Sequence, residues 1–423
     1  MGLRMKQIAR KSWIPRKLNE LGFVGRGRSR NRPRNDPTLY GGPYPIIQTA
    51  DIMASDLRVT KYSQTYSEKG LAQSKLWGEN TLCMTIAGEN TAETAILSFK
   101  ACFPDSIVGF VADPNKADVR FVKYYLDTIK QQLKNVSKGA TQDNLSLDKL
   151  LSFDILTPPV TTQHKIATIL SAYDDLIENN KRRIDILEKM AQLLFREWFV
   201  HFRFPGHEKK RLVDSELGLI PDGWEIKSIG EAIEISGGGT PSTSNLEYWN
   251  GGDVNWFSPS DLTSAGTMFI TNSTKKITTL GLQKSSARMF QAYSVMMASR
   301  ATIGVVAINT QPACTNQGFI TCIPNERLSA YQIYFLLDEN KEKINTLASG
   351  ATFKEINKAT FRKLPIVIAD TTTNKRFDEM LAPIGKQIEN LIARNVILRQ
   401  TRDLLLSKLI SGEVAVEGLN IHI

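Results

Sequence analysis

The chain has 423 residues, 42% of them hydrophobic and 23% charged, which points to two or three globular domains. Its formal net charge of +10 and pI near 9.3 suit a polyanion, whose condensed counterions are released where Lys and Arg meet phosphates. No apolar stretch reaches the roughly 18 residues that a bilayer span needs, and Cys83, Cys102, Cys314 and Cys322 lack CxxC and zinc-ligand spacing, so a cytoplasmic chain with reduced, buried thiols is expected.

The first 34 residues hold eleven Lys or Arg against one acid, Glu20. No apolar region or small-residue cleavage site follows, which argues against a secretory signal. Within this arm Arg26, Arg28, Arg30, Arg32 and Arg34 alternate with Gly, Ser, Asn and Pro. Such a run cannot build a core. It can lie along phosphates, and Arg can bridge guanine O6 and N7 in the major groove; the plain alternative is a solvated basic loop. A polar strand end follows at Gln48, Thr49 and Asp51, with donors and acceptors that suit base edges or an ordinary turn. A short helix is expected near residues 119–133.

Pro158-Pro159 then opens a helix with apolar positions at Ile166, Leu170, Tyr173, Ile177, Ile184, Leu187, Ala191, Leu194 and Trp198, broken by Asn180. The alternating steps of four and three are a heptad seam over about four heptads. Some 35 residues at ~1.5 Å each make a rod of roughly 50 Å, which favours pairing with another helix over packing on one domain.

At a shift of 211 residues the chain repeats itself. Ile155 falls on Ile366, Leu170 on Leu381, Ile177 on Ile388, Leu187 on Leu398, Trp13 on Trp224 and Glu20 on Glu231. Gly41-Gly42 through Asp51 matches Gly251-Gly252 through Asp261 at a shift of 210. The second copy has β-rich runs at residues 226–235, 295–308 and 318–323 and a short helix near 330–344. Its loop before the Gly-Gly pair is Gly-rich and holds Thr240 and Ser242; Ser260, Asp261, Arg300, Asn316 and Gln317 are further contact candidates at turns. Its closing helix carries a second seam that includes Leu381, Ile388, Leu398 and Leu405, with Asn395 within it. A duplicated chain tends toward internal two-fold symmetry, and symmetry would run the two helices antiparallel with a globular domain at each end.

The chain lacks the P-loop pattern GxxxxGK[ST] and an Asn/Asp-Pro-Pro-aromatic run. Pro221-Asp222-Gly223-Trp224-Glu225-Ile226-Lys227 is too short a span for a metal nuclease site. His164, His201, His207 and His422 have no nucleophile to pair with. No catalytic or metal residue is expected.

Leu156-Thr157-Pro158-Pro159-Val160-Thr161-Thr162-Gln163 before a long helix, Gly218-Leu219-Ile220-Pro221-Asp222-Gly223-Trp224 before a second domain, and a Gly-Gly…Asp run in both halves together resemble the specificity subunit of a type I restriction-modification enzyme, over nearly the whole chain. The resemblance implies an α+β fold: two pseudo-two-fold-related mixed α/β target-recognition domains separated by two long helices in an antiparallel coiled coil. The expected parts are a first recognition domain at residues 1–157, a spacer helix at 158–204, a linker at 205–222, a second domain at 223–368, a second helix at 369–413 and a tail at 414–423. It further implies a split, asymmetric site on double-stranded DNA and docking of two methyltransferase subunits. Motor-nuclease subunits would join, with S-adenosylmethionine, ATP and Mg carried by the partners and no catalysis in this chain. A coiled-coil scaffold with two protein-binding domains is the alternative; a solitary nuclease or methyltransferase is disfavoured by the missing motifs.

Overall fold

The computed structural model describes residues 13–30, 33–137, 144–350 and 354–421. The chain forms two compact units, residues 1–179 with 395–423, and residues 180–394. Both boundaries fall inside long helices, so each unit contains helix from both copies.

In the first unit a five-stranded sheet runs in the order Gly22–Arg26, Ile107–Ala112, Leu82–Thr85, Thr94–Leu97, Arg58–Val59. Its last pair is parallel and the others antiparallel. A four-stranded sheet follows the order Gln64–Tyr66, Tyr40–Ile46, Ala101–Cys102, Leu76–Trp77. The second unit repeats the first sheet as Glu234–Gly237, Phe319–Ile323, Val295–Ala298, Val306–Asn309, Phe269–Ile270, again with a parallel final pair. Its other sheet is Lys275–Ile277, Val254–Phe257, Ala313–Thr315, and an isolated bridge from Phe290 to Ala313 stands where the first copy has Leu76–Trp77. The central strands Leu82–Thr85, Thr94–Leu97, Val295–Ala298 and Val306–Asn309 are buried along their whole length, so they read as continuous runs rather than alternating ones.

Local capping chemistry starts the short helices. Asp118 accepts the Arg120 amide ahead of Val119–Thr128, and Ser329 accepts the Gln332 amide ahead of Ala330–Glu339. Residues 226–235, expected as one β-rich run, are instead two strands around the single turn Ile229–Ala232. Glu231 Oε2 accepts the Ser228 amide there at 3.1 Å, as Glu20 Oε2 accepts the Lys17 amide at 2.7 Å in the first copy, and an acid at the third helical position that satisfies this orphan amide favours a helical turn.

The long helices span Val160–Phe195 and Thr371–Ile410. Asp370 starts the second by accepting the Thr373 amide at 3.0 Å. The first ends in a π-helical turn, Arg196–Val200, where Phe199 meets Phe377 edge-on at 4.8 Å and Trp224 at 5.8 Å. Inside the first unit Ile166 and Leu170 share a core with Leu409 and Ile410, Asn395 Nδ2 donates to the Ile177 carbonyl at 3.4 Å, and Arg402 pairs with buried Asp174. Inside the second, Ile184, Ala191 and Phe195 share a core with Phe377, Leu381 and Ile388. The start of each helix therefore packs on the end of the other, and the two run antiparallel. Leu187, Leu194, Leu398 and Leu405 are half-buried, and Leu187 and Leu194 pack on the second unit's core while Leu405 packs on the first's. All four cysteines are buried and free, and burial pushes the Cys314 and Cys322 thiols up to about 12. Among the described residues no helix is long and apolar enough to cross a membrane.

Candidate nucleic-acid interface

The Arg-rich loop of the first copy leaves the edge strand Gly22–Arg26 and is fastened through its backbone. Gly27 N donates to the Ile107 carbonyl at 2.9 Å and Arg28 N to the Phe103 carbonyl at 3.0 Å. The Arg28 carbonyl accepts from Ser74 Oγ at 2.9 Å, and Arg30 N donates to Gln73 Oε1 at 2.6 Å. The side chains of Arg26, Arg28 and Arg30 are exposed, and among the described residues none has an ion pair. Arg32 lies outside the described residues. Arg34 is engaged: its Nη2 contacts both Asp105 oxygens at 2.9 and 3.1 Å.

A cation that sequence reasoning missed sits beneath this loop. Lys75 Nζ lies 3.8 Å from the Trp77 ring centre and 4.3 Å from that of exposed Phe23. Burial and then the neighbouring Arg28 hold its pKa below the ordinary lysine value. The pairing is made by tertiary approach of residues 23 and 75, for which neither segment carries a signal.

The second copy uses other chemistry at the same place. Gly239 N donates to the Thr315 carbonyl at 2.9 Å. A Cβ on Gly238 would stand 1.9 Å from the Asn316 carbonyl oxygen, and one on Gly27 would stand 2.3 Å from those of Phe103 and Pro104, so only glycine admits either close approach. Thr240 Oγ1 donates to Gln317 Oε1 at 2.5 Å, and Asn316 Oδ1 accepts the Gly318 amide at 2.8 Å. Thr240, Asn316 and Gln317 thus come together as one loop pair. Ser242 bonds Ser244 at 2.9 Å and Ser260 bonds Ser258 at 2.9 Å. Lys358 passes over Gly237, a second cation that no local pattern marks.

Other candidates are placed differently. Gln48, Thr49 and Asp51, expected at a strand end, start the helix Thr49–Met53, and Asp51 Oδ2 accepts the Gln48 amide at 2.7 Å. Gln48 Nε2 approaches Gln64 Oε1 at 3.4 Å. Ser258 and Asp261 likewise open Pro259–Ala265. Asp261 is buried and accepts from Ser258 N at 2.7 Å and Thr274 N at 2.9 Å. Burial raises its pKa, but these donors more than offset it and hold the carboxyl below its ordinary value. Each acid spends one oxygen on its own helix start, because an Asp at the third helical position satisfies an orphan amide, and Asp261 gives its other oxygen to Thr274. Arg300 is tied to Glu355 at 2.7 Å. His164 sets Nδ1 against Asp118 Oδ2 at 2.7 Å. Among the described residues no group of three or more His, Cys, Asp or Glu could hold a metal ion.

A family model described as the type I restriction modification DNA specificity domain matches residues 10–189 and again 221–398, one match per copy. The chain is 32% identical to the type I restriction enzyme MjaIX specificity subunit of Methanocaldococcus jannaschii, over 97% of this chain and 95% of that one. It is 26% identical to the type I restriction enzyme HindI specificity subunit of Haemophilus influenzae, over 66% and 72% of the two chains. The crystal structure of a type I restriction-modification S subunit from M. genitalium shares its fold at 15% identity, with a TM-score of 0.56 and coverage of 94% and 96%.

Proposed function

This chain belongs to the type I restriction-modification DNA specificity family as a non-catalytic specificity subunit with two target-recognition domains, and we propose that each domain reads one half of a split, asymmetric site on double-stranded DNA. The observation that carries this reading is that one sheet order occurs twice while the loops at equivalent places differ: exposed Arg26, Arg28 and Arg30 in the first copy, Thr240 with Gln317 in the second. Equal frames with unlike loops suit unlike half-sites. Arg and Lys75 favour phosphate and guanine, whereas Gln and Asn favour adenine edges. Gln48, Thr49, Ser242, Ser260 and Asn316 complete the proposed contact set. Asp51 and Asp261 support it by holding their loops, and Arg300 by its bridge to Glu355.

The helices would set the unread gap and dock two methyltransferase subunits. Ile186 and Leu193 on the first helix and Ile397 and Leu404 on the second are exposed, and Ile186 with Ile397 and Leu193 with Leu404 stand at the repeat's 211-residue separation, as equal docking of two equal partners requires. S-adenosylmethionine, ATP and Mg would be carried by the methyltransferase and motor-nuclease subunits, in the cytoplasm. The test is duplex binding by the assembled complex. Site-specific binding that falls steeply with salt is expected; salt-insensitive or absent binding would favour the protein-scaffold alternative.

A further inference from the structure

Each long helix is fastened to its own domain by a buried amide. Gln163, in the first turn of Val160–Phe195, is fully buried. Its Nε2 donates to the Pro158 carbonyl at 2.9 Å and the Lys116 carbonyl at 3.1 Å, and its Oε1 accepts the Asp118 amide at 3.1 Å. Pro158 lies two residues before the helix, whereas Lys116 and Asp118 lead into Val119–Thr128. One side chain therefore spans the junction between helix and domain.

The second copy builds the same junction with a different residue. Asn374, in the first turn of Thr371–Ile410, is buried. Its Nδ2 donates to the Ala369 carbonyl at 3.2 Å and the Arg327 carbonyl at 3.0 Å. The Asn374 backbone carbonyl accepts from Gln332 Nε2 at 3.1 Å, which adds a second link to Ala330–Glu339. Gln163 and Asn374, Pro158 and Ala369, and Lys116 and Arg327 each stand 211 residues apart. Local sequence has diverged at all three pairs, yet the pattern of donated bonds is the same.

Apolar contacts at such a junction tolerate small rotations, because dispersion and burial are non-directional. An amide with both donors spent is directional, and a rotated helix would leave buried carbonyls unsatisfied. We propose that Gln163 and Asn374 are positioning residues that fix the angle at which each recognition domain leaves its helix, and through that angle the gap length the complex accepts. The assignment rests on the reading of the two domains as DNA readers.

The test uses the full chain assembled with its partner subunits, titrated against duplexes whose half-sites are constant and whose gap changes by single base pairs. Duplexes carrying one half-site serve as the control. For Gln163→Met, preference for the native gap should fall roughly tenfold, on the scale of a lost buried hydrogen-bonded junction, with affinity for the single half-site unchanged. Full gap preference without the amide would overturn the assignment. Since the Met variant can unfold the domain, Gln163→Asn and Asn374→Gln keep the donors and change only their reach. A displaced or broadened gap optimum is expected from each, and an unmoved optimum in both also overturns it. A wild-type complex with no half-site preference would count against the DNA-reading proposal instead.

Discussion

Replacing Glu188 with Gln should stabilise the second unit above neutral pH and destabilise it in acid. Glu188 lies on the first long helix, and its Oε1 accepts the Met268 amide at 2.6 Å. Burial first, then the charges of Asp185 and Asp338, push its carboxyl from an ordinary 4.5 up to about 7. The folded form holds a proton that the unfolded chain has released, so wild-type stability falls as pH rises from about 4.5 to about 7 and stays reduced above. At about 1.4 kcal/mol per pKa unit the loss is about 3 kcal/mol. Gln keeps the acceptor for Met268 and never ionises, but it buries an amide nitrogen at a cost of about 1 kcal/mol. Glu188→Gln should therefore gain roughly 2 kcal/mol at pH 8, equivalent to about 4–8 °C in Tm for a unit of this size. In acid it should lose about 1 kcal/mol. Differential scanning calorimetry between pH 4.5 and pH 8 reads both arms. A Tm difference with the same sign and size at the two ends would refute the reasoning.

Replacing Arg26, Arg28 and Arg30 together by Ala should weaken duplex binding and flatten the log–log salt dependence by up to about 3, near 0.9 per lost phosphate contact; anisotropy titrations across a salt series that return an unchanged slope would remove these residues from the interface. Arg402→Met strands the buried Asp174 carboxylate, which also accepts from Tyr124, and should lower the first unit's stability by about 3–5 kcal/mol. Adding Asp174→Asn should recover part of that loss in denaturant unfolding, and no recovery would break the assigned pairing. Leu187→Asp with Leu398→Asp places charge in both seams and should prevent assembly with partner subunits, as read by size-exclusion chromatography; normal assembly would argue against these positions as helix-pairing residues.

Long-period features were the legible part. The 211-residue repeat and the alternating four-three spacing from Ile166 to Trp198 carry information at every turn, so both helices and their antiparallel sense follow from sequence and symmetry. The strand order within each sheet did not, because pairing Arg58–Val59 with Thr94–Leu97 depends on non-local closure that no local pattern encodes. Asp51 and Asp261 show a second limit. An Asp after Gln-Thr-Ala or Ser-Pro-Ser is equally at home on a base edge and at a helix start, and only the donated amides decide between them. Lys75, Lys358 and Glu188 owe their surroundings to segments far away in sequence. Their local neighbours gave no sign of them.

Gly27 and Gly238 divide each reading loop into a part that must stay and a part that can change. Any side chain at either position would collide with a backbone carbonyl at 2.3 Å or less, so the loop's root is held by the scaffold itself. Beyond that root the two copies already differ completely, with Arg28 standing where the second copy has Gly239. New target sequences are thus open to this architecture through substitution at the tips alone, without renegotiating the core, and libraries for altered specificity should leave both glycines untouched.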